Sequence, residues 1–199
     1  MSDALVRWLG RRSLSRHLIY QAQRQRCADL LLKIGDAISP DDVVLDLGAG
    51  TGNMTELLRE EEYDVTPVDV TDISYIDDVK PVIYDGQQLP YADDTFDVAL
   101  LVTVLHHAHH PDQVLREARR VARRVIVIED VTRGRVHGWI TKVWDSILNL
   151  EFIGHPHEND SDQGWRARFQ SLGLKVVDAR SWWAALVMWQ VLYVLERSE

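Results

Sequence analysis

The sequence predicts an α/β fold in which a doubly wound, mostly parallel sheet carries helices on both faces. Three observations lead there. Between Val43 and Glu129 short β-branched runs alternate with helical patterns, the order that parallel βαβ units produce. Gly48, Gly50 and Gly52 stand directly after the first such run and before a helical stretch, where backbone must turn tightly. With 199 residues, 46% of them hydrophobic, the chain has material for one well-buried core and falls short of two ordinary domains.

The elements follow in order. Ala4 to Ile38 reads as helix, with Ala28, Leu31, Leu32 and Ile38 on one face and arginines elsewhere, and Pro40 stops it. Val43 to Leu47 is the first strand, Met54 to Glu62 is helical, and Asp64 to Val70 is the second strand. Pro81 to Tyr84 offers a short third strand and Phe96 to Val102 a fourth. Pro111 suits a first helical turn, where its missing N–H costs nothing, and Val114, Leu115, Ala118 and Val121 follow at helical spacing. Val125 to Ile128 is a buried fifth strand. Beyond it, Trp139, Ile140, Val143, Trp144, Ile147 and Leu148 form an apolar helical stripe, and the polar stretch Gly154 to Gly164 reads as loop. Leu174 to Ala179 and Trp189 to Leu195, joined by Ser181 to Met188, give an antiparallel pair at a sheet edge.

Charge and cysteine content narrow the function. A net charge of −9 argues against coating nucleic acid, which needs a clustered cationic face. The charge is uneven, however: six arginines precede Asp29 against Asp3 alone, giving that segment +5 and leaving −14 for the rest. These arginines can form a solvated helix face, dock on the acidic body, bind an anionic substrate, touch membrane headgroups or meet RNA. Cys27 is the single cysteine, which excludes an intramolecular disulfide and a multi-cysteine zinc site. It stands far from the glycine loop in the sequence and is not expected in the pocket. No apolar run reaches transmembrane length and the arginine-rich start lacks the apolar block of a secretory signal, so the expected home is cytoplasmic.

The glycine spacing selects the ligand. A dinucleotide loop wants its third glycine where Asn53 stands, and no Gly-Lys-Ser/Thr follows as a phosphate-cradling loop requires. Asp46, inside the segment, would repel a pyrophosphate but suits a ligand carrying an ammonium and a sulfonium. The helix start at Asn53 and Met54 offers free N–H groups and a dipole favouring a carboxylate. Asp69, at the end of the second strand, suits the hydroxyls of a ribose, and Asp85 suits an exocyclic adenine amine or, equally, a turn.

The series VLDLGAGTGN, VDV, YDGQQLPYADDTFDVALLVTVLHHAHHPDQVLREARRV and VIVIE resembles the class I methyltransferases, specifically the type 11 group that includes ubiquinone-biosynthesis-like enzymes. The resemblance covers Val43 to about Glu129. It implies a Rossmann-like, seven-stranded sheet with an antiparallel final strand, and S-adenosylmethionine lying across the carboxyl ends of strands one, two and four. By matching position, Asp46, Gly48, Ala49, Gly50, Gly52 and Asn53 would hold the methionine portion, Asp69 and Val70 the ribose, and Asp85 with Gly86 the adenine. Val102 and Thr103 would sit beside the transferable methyl. Pro67 departs from the family, which often has glycine two positions before the ribose acid.

The single domain is then expected in three parts: residues 1–40 as a helical lid with Tyr20 as a lid residue, 41–130 as the cofactor half, and 131–199 as acceptor-side insert and final strand pair. His106 and His107 are the candidate catalytic residues, taking a proton from an acceptor hydroxyl or amine. Together with His109, His110, His155 and His157 they could assemble an imidazole metal site, but Leu-His-His stands in the resembled family without a metal, and none is assigned. Trp139, Trp144, Trp182, Trp183 and Trp189 gather in the carboxyl-terminal third, which points to a small, hydrophobic or aromatic acceptor. The alternatives are an enzyme acting on RNA or protein and a cofactor-binding module without catalysis.

Overall fold

A computed structural model describes residues 13–132, 160–184 and 188–198. Seven strands form one sheet: β1 (Val43–Leu47), β2 (Asp64–Asp69), β3 (Val82–Ile83), β4 (Phe96–Val102), β5 (Ala122–Asp130), β6 (Leu174–Ala184) and β7 (Met188–Arg197). Their order is β3-β2-β1-β4-β5-β7-β6. The first five run parallel, while β7 is antiparallel to both β5 and β6. The reversed strand therefore lies inside the sheet, between its neighbours.

Among the described residues four helices cover the two faces: α1 (Ser13–Ile34), α2 (Asn53–Glu60), α3 (Pro111–Val121) and α4 (Asp162–Ser171). Residue alternation along the strands divides the core accordingly. Val44, Val98, Leu100, Ile126 and Ile128 pack with Leu30, Ile34, Leu57 and Leu58 of α1 and α2. Leu45, Leu47, Ala99, Leu101, Val125 and Val127 pack with Leu115, Ala118, Trp165 and Phe169 of α3 and α4. A strand buried on both faces reads as a continuous apolar run, which is why β4 and β5 stand out in the sequence.

Several boundaries differ from the expectation. α1 ends at Ile34, because Gly35 takes φ +49° and breaks the helix one turn before Ile38 and well before Pro40. Leu32 faces solvent at 81% exposure, while Cys27, Leu30 and Ile34 form the buried stripe. β5 begins at Ala122, directly where α3 ends, so Arg123 and Arg124 belong to the strand. The helix α4 occupies residues expected as loop up to Gly164 and then unassigned. It is capped by Ser161, whose hydroxyl accepts from the Gly164 N–H at 3.0 Å. β6 extends through Ser181 to Ala184, residues expected in the connection. The Trp139 to Leu148 stripe lies outside the described residues.

Pro67 is accommodated by its register. Val68 accepts from Gly48 and Ala49 on the β1 side and Asp69 accepts from Tyr84 on the β3 side, so the Pro67 nitrogen faces β3. There β3 begins only at Val82, opposite Val68, and the missing N–H costs no ladder bond.

Candidate cofactor and active site

The site forms at the carboxyl ends of the parallel strands, where β1 and β4 diverge on either side of the switch in chain direction. After β1 the chain turns through Gly48 (φ +84°), Gly50 (φ +53°) and Gly52 (φ +85°) into α2. At Gly48 the demand is steric as well: a Cβ there would stand 2.5 Å from Val104 Cγ2. The turn is tied to β2 by the N–H groups of Gly48 and Ala49 on the Val68 carbonyl (2.8 and 3.1 Å) and by the Gly50 N–H on Asp69 Oδ2 (2.8 Å).

A cavity of about 900 Å³ opens beside this turn. It is lined by Asp46, Gly48, Ala49, Gly50 and Asn53 from the glycine segment, Asp69 and Val70 from the end of β2, Asp85 and Gly86 after β3, and Val102, Thr103 and His107 after β4. The predicted cofactor residues are thus brought together, except Gly52. Gly52 does not line the cavity; it starts α2 and is wedged against Ser74 and Val79, which a Cβ would strike.

Four polar side chains define what the cavity can hold. Asp46 is buried and accepts from Thr55 Oγ1 at 2.6 Å; burial, with the charge of Asp69 adding, pushes its carboxyl up to about 6. Such a carboxyl gains from a cationic neighbour. Asn53 is also buried, its Oδ1 accepting from Thr51 at 2.9 Å, while its Nδ2 has no hydrogen-bond partner. A buried amide donor at the lip of a cavity calls for an acceptor from the ligand. Asp69 Oδ1 accepts from the Val70 and Thr71 N–H groups, leaving lone pairs for further donors. Asp85, expected at an adenine amine, uses Oδ1 to accept from Gln87 and Gln88 N–H, and these bonds, that from Gln88 foremost, hold its carboxyl below the usual range. Its turn role is therefore real, and it lines the cavity as well.

The far wall carries backbone strain. Thr103 takes φ +54°, rare for a β-branched residue and costing about 1–3 kcal/mol. Its N–H on the Ile128 carbonyl at 2.7 Å helps to hold it there. The two candidate catalytic histidines part company in the next turn. His107 lines the cavity. His106 is not among the lining residues; it is buried, with Nδ1 2.5 Å from Glu129 Oε2, and its ring rests 3.9 Å from that of His107. His109 and His110 border the cavity too, and among the described residues no three histidine, cysteine or acidic side chains are grouped to hold a metal. His155 and His157 lie outside the described residues.

One wall was missed by sequence reasoning. Gln23, Arg26 and Cys27 of α1 line the cavity, and Arg26 Nη2 donates to Thr103 Oγ1 at 3.2 Å. Distance along the chain had set Cys27 far from the pocket, but α1 packs back over the end of β1. Burial raises the Cys27 thiol to about 11, so it meets the cavity as a neutral group. Tyr20 instead donates to Glu56 at 2.8 Å, joining Arg24, which bonds Glu56 (2.7 Å) and Glu60 (2.5 Å). Arg24 therefore docks α1 on the acidic side of α2. No helix among the described residues is long and apolar enough to cross a membrane.

A parallel sheet with its reversed strand set inside, and a glycine turn beneath a cavity lined by the carboxylates of Asp46, Asp69 and Asp85, form a doubly wound fold suited to a nucleoside ligand at its switch point. Residues 20–179 match the methyltransferase-domain family, and the chain belongs to it, as a class I S-adenosylmethionine-dependent member. Among curated proteins it is similar to the ubiquinone/menaquinone biosynthesis C-methyltransferase UbiE of Burkholderia mallei and of Burkholderia thailandensis, at 31% identity over 150 residues. That match takes in 63% of this chain, which spans 58% of the length of those relatives. Among solved structures, magnesium protoporphyrin IX methyltransferase from Synechocystis with bound S-adenosylhomocysteine aligns over 88% of this chain and 84% of its own, with a TM-score of 0.64 at 16% identity. The [4+2]-cyclase SpnF aligns over 89% and 82%, with a TM-score of 0.65 at 17% identity. At such identities the structures share the fold.

Proposed function

We propose that this chain transfers the methyl group of S-adenosylmethionine to a small, hydrophobic or aromatic acceptor, releasing S-adenosylhomocysteine. The observation that carries the cofactor reading is the buried Asn53 Nδ2 without a partner, set in the same cavity as Asp46 and Asp69. Asn53 and the α2 N-terminus fit the methionine carboxylate, Asp46 the ammonium, Asp69 the ribose hydroxyls, and Asp85 with Gly86 the adenine. Bound there, the cofactor supplies an activated methyl on a sulfonium. What remains for the protein is to hold an acceptor in line with it and exclude water.

Thr103 and the turn after β4 form the acceptor side of the cavity in this reading. His107 is placed to take a proton from a hydroxyl or amine acceptor; His106 stands behind it on Glu129 and not in the cavity. A nucleophilic acceptor needs no such base. The relatives' names, C-methyltransferases of ubiquinone/menaquinone biosynthesis, support a hydrophobic acceptor.

Calorimetric titration of S-adenosylmethionine and S-adenosylhomocysteine into the wild type and Asp69→Ala tests the pocket. The wild type is expected to bind in the micromolar range and the variant at least about tenfold more weakly, as loss of charged hydrogen bonds implies. Absence of binding to the wild type would overturn the assignment.

A further inference from the structure

We propose that Glu129 is a positioning residue for the cofactor wall: its buried carboxylate ties the turn after β4 to the end of β5 and so holds Val104 against the glycine loop. The inference rests on the reading of the cavity as the cofactor site and adds to it a residue outside that cavity.

Glu129 is 0% exposed and lies on the α3/α4 face of β5, in line with Val125 and Val127 of the apolar core. A carboxylate in such surroundings persists only with strong partners. Oε1 accepts from the Leu105 N–H at 2.7 Å, and Oε2 meets His106 Nδ1 at 2.5 Å. Both partners belong to one short turn, Leu105–His107. One side chain thus fastens that turn through its backbone and through a side chain at once.

Val104 is held from both sides as a result. Before it, the Thr103 N–H is bound to the Ile128 carbonyl; after it, the Leu105 N–H is bound to Glu129. Two successive residues of β5 therefore fix the backbone on either side of Val104. The Val104 side chain in turn sits where a Cβ on Gly48 would fall, so its methyl groups form the surface against which the glycine turn closes. A second arm runs from His106 by ring contact to His107, which lines the cavity. Release of the carboxylate would free the turn, let Val104 move off Gly48, and unseat His107. Glu129 does not line the cavity, and its effect passes through these neighbours.

The test compares Glu129→Ala and Glu129→Gln in the full chain. Glutamine has the length of glutamate and a carbonyl oxygen that can accept from the Leu105 N–H; alanine has neither. Titrated with S-adenosylhomocysteine, Glu129→Ala is expected to bind about tenfold or more weakly, while Glu129→Gln stays within about threefold of the wild type. Melting of the ligand-free proteins is measured alongside. A folded Glu129→Ala that binds like the wild type, whatever its melting temperature, overturns the proposal. So does an equal loss of affinity in both variants. If Glu129→Ala does not fold, amide exchange of Leu105 in the wild type decides. Protection like that of a strand amide supports the clamp, and exchange as fast as in an exposed loop refutes it. Failure of the wild type to bind the ligand would sink the cofactor reading while leaving the Leu105 exchange result to judge the clamp.

Discussion

Asp46 and Gly48 sit two residues apart and carry opposite kinds of constraint. A buried carboxyl raised to about 6 keeps its proton in the folded protein across a range where an unfolded one, near 3.8, has lost it. Ligand-free stability attributable to Asp46 is therefore full below about pH 4 and falls as pH rises to about 6, by about 3 kcal/mol. Thermal melts over that range are expected to show the decline in the wild type and a flatter profile in Asp46→Asn. Cofactor binding should run the other way, tightening from pH 5 to 7 as the carboxylate becomes available to an ammonium; calorimetry at the two pH values reads this directly. Gly48 faces a steric limit. Gly48→Ala places a methyl on Val104 and forces alanine into φ +84°, so a loss of about 1–3 kcal/mol is expected in urea unfolding, with cofactor binding abolished. Adding Val104→Ala should recover part of the stability, because it removes the clash and leaves only the backbone strain.

At the scale of elements, the sequence was most legible where one physical demand dominated. The first, fourth and fifth strands were readable because burial on both faces leaves apolar runs, the second because its valines and threonine are bounded by aspartates, and the cofactor loop because glycine spacing discriminates between ligands. α4 was not readable. Its residues Gln163, Arg166, Ala167 and Gln170 alternate with only two large buried aromatics, Trp165 and Phe169, so the stripe is narrow and the preceding polar stretch resembles loop. The α1 wall of the site was also hidden, since nothing local in Gln23, Arg26 or Cys27 says which surface the helix will cover. Packing decided it, helped by the bonds from Tyr20 and Arg24 to α2. Arg24 is about a quarter exposed, which puts the worth of its ion pairs at about 0.5 kcal/mol or less after solvent screening. Arg24→Gln is expected to speed amide exchange along α1 modestly, and the difference from the wild type should shrink in high salt. An unchanged exchange pattern at low salt would show that apolar packing alone seats the helix.

For the whole molecule, the decisive feature is the position of β7. It pairs with β5 from Arg124 to Asp130 and with β6 along its full length, and it contributes Leu192, Tyr193, Val194 and Leu195 to the two core layers. The Tyr193 hydroxyl further donates to Asp162 at 2.8 Å, fastening the first turn of α4. Ending the chain before Met188 should therefore unfold more than an edge. β6 would lose the strand it pairs with among the described residues, β5 would be laid open, and α4 would lose its seat. Circular dichroism and solubility of such a truncation are expected to report a collapsed or aggregating chain, whereas retention of a cooperative melt would mean that the first five strands stand alone.

The same arrangement governs how the protein emerges from the ribosome. Strands β1 to β5 are made first and can assemble, but the hydrogen-bonding edge of β5 stays open while the whole segment from Val131 to Val187 is synthesised. At about 5–20 residues per second that interval lasts several seconds, with one edge of a long, apolar strand open to other nascent chains. The polypeptide closes its sheet late and from within, so shielding of that open edge during translation is expected to raise the yield of folded protein.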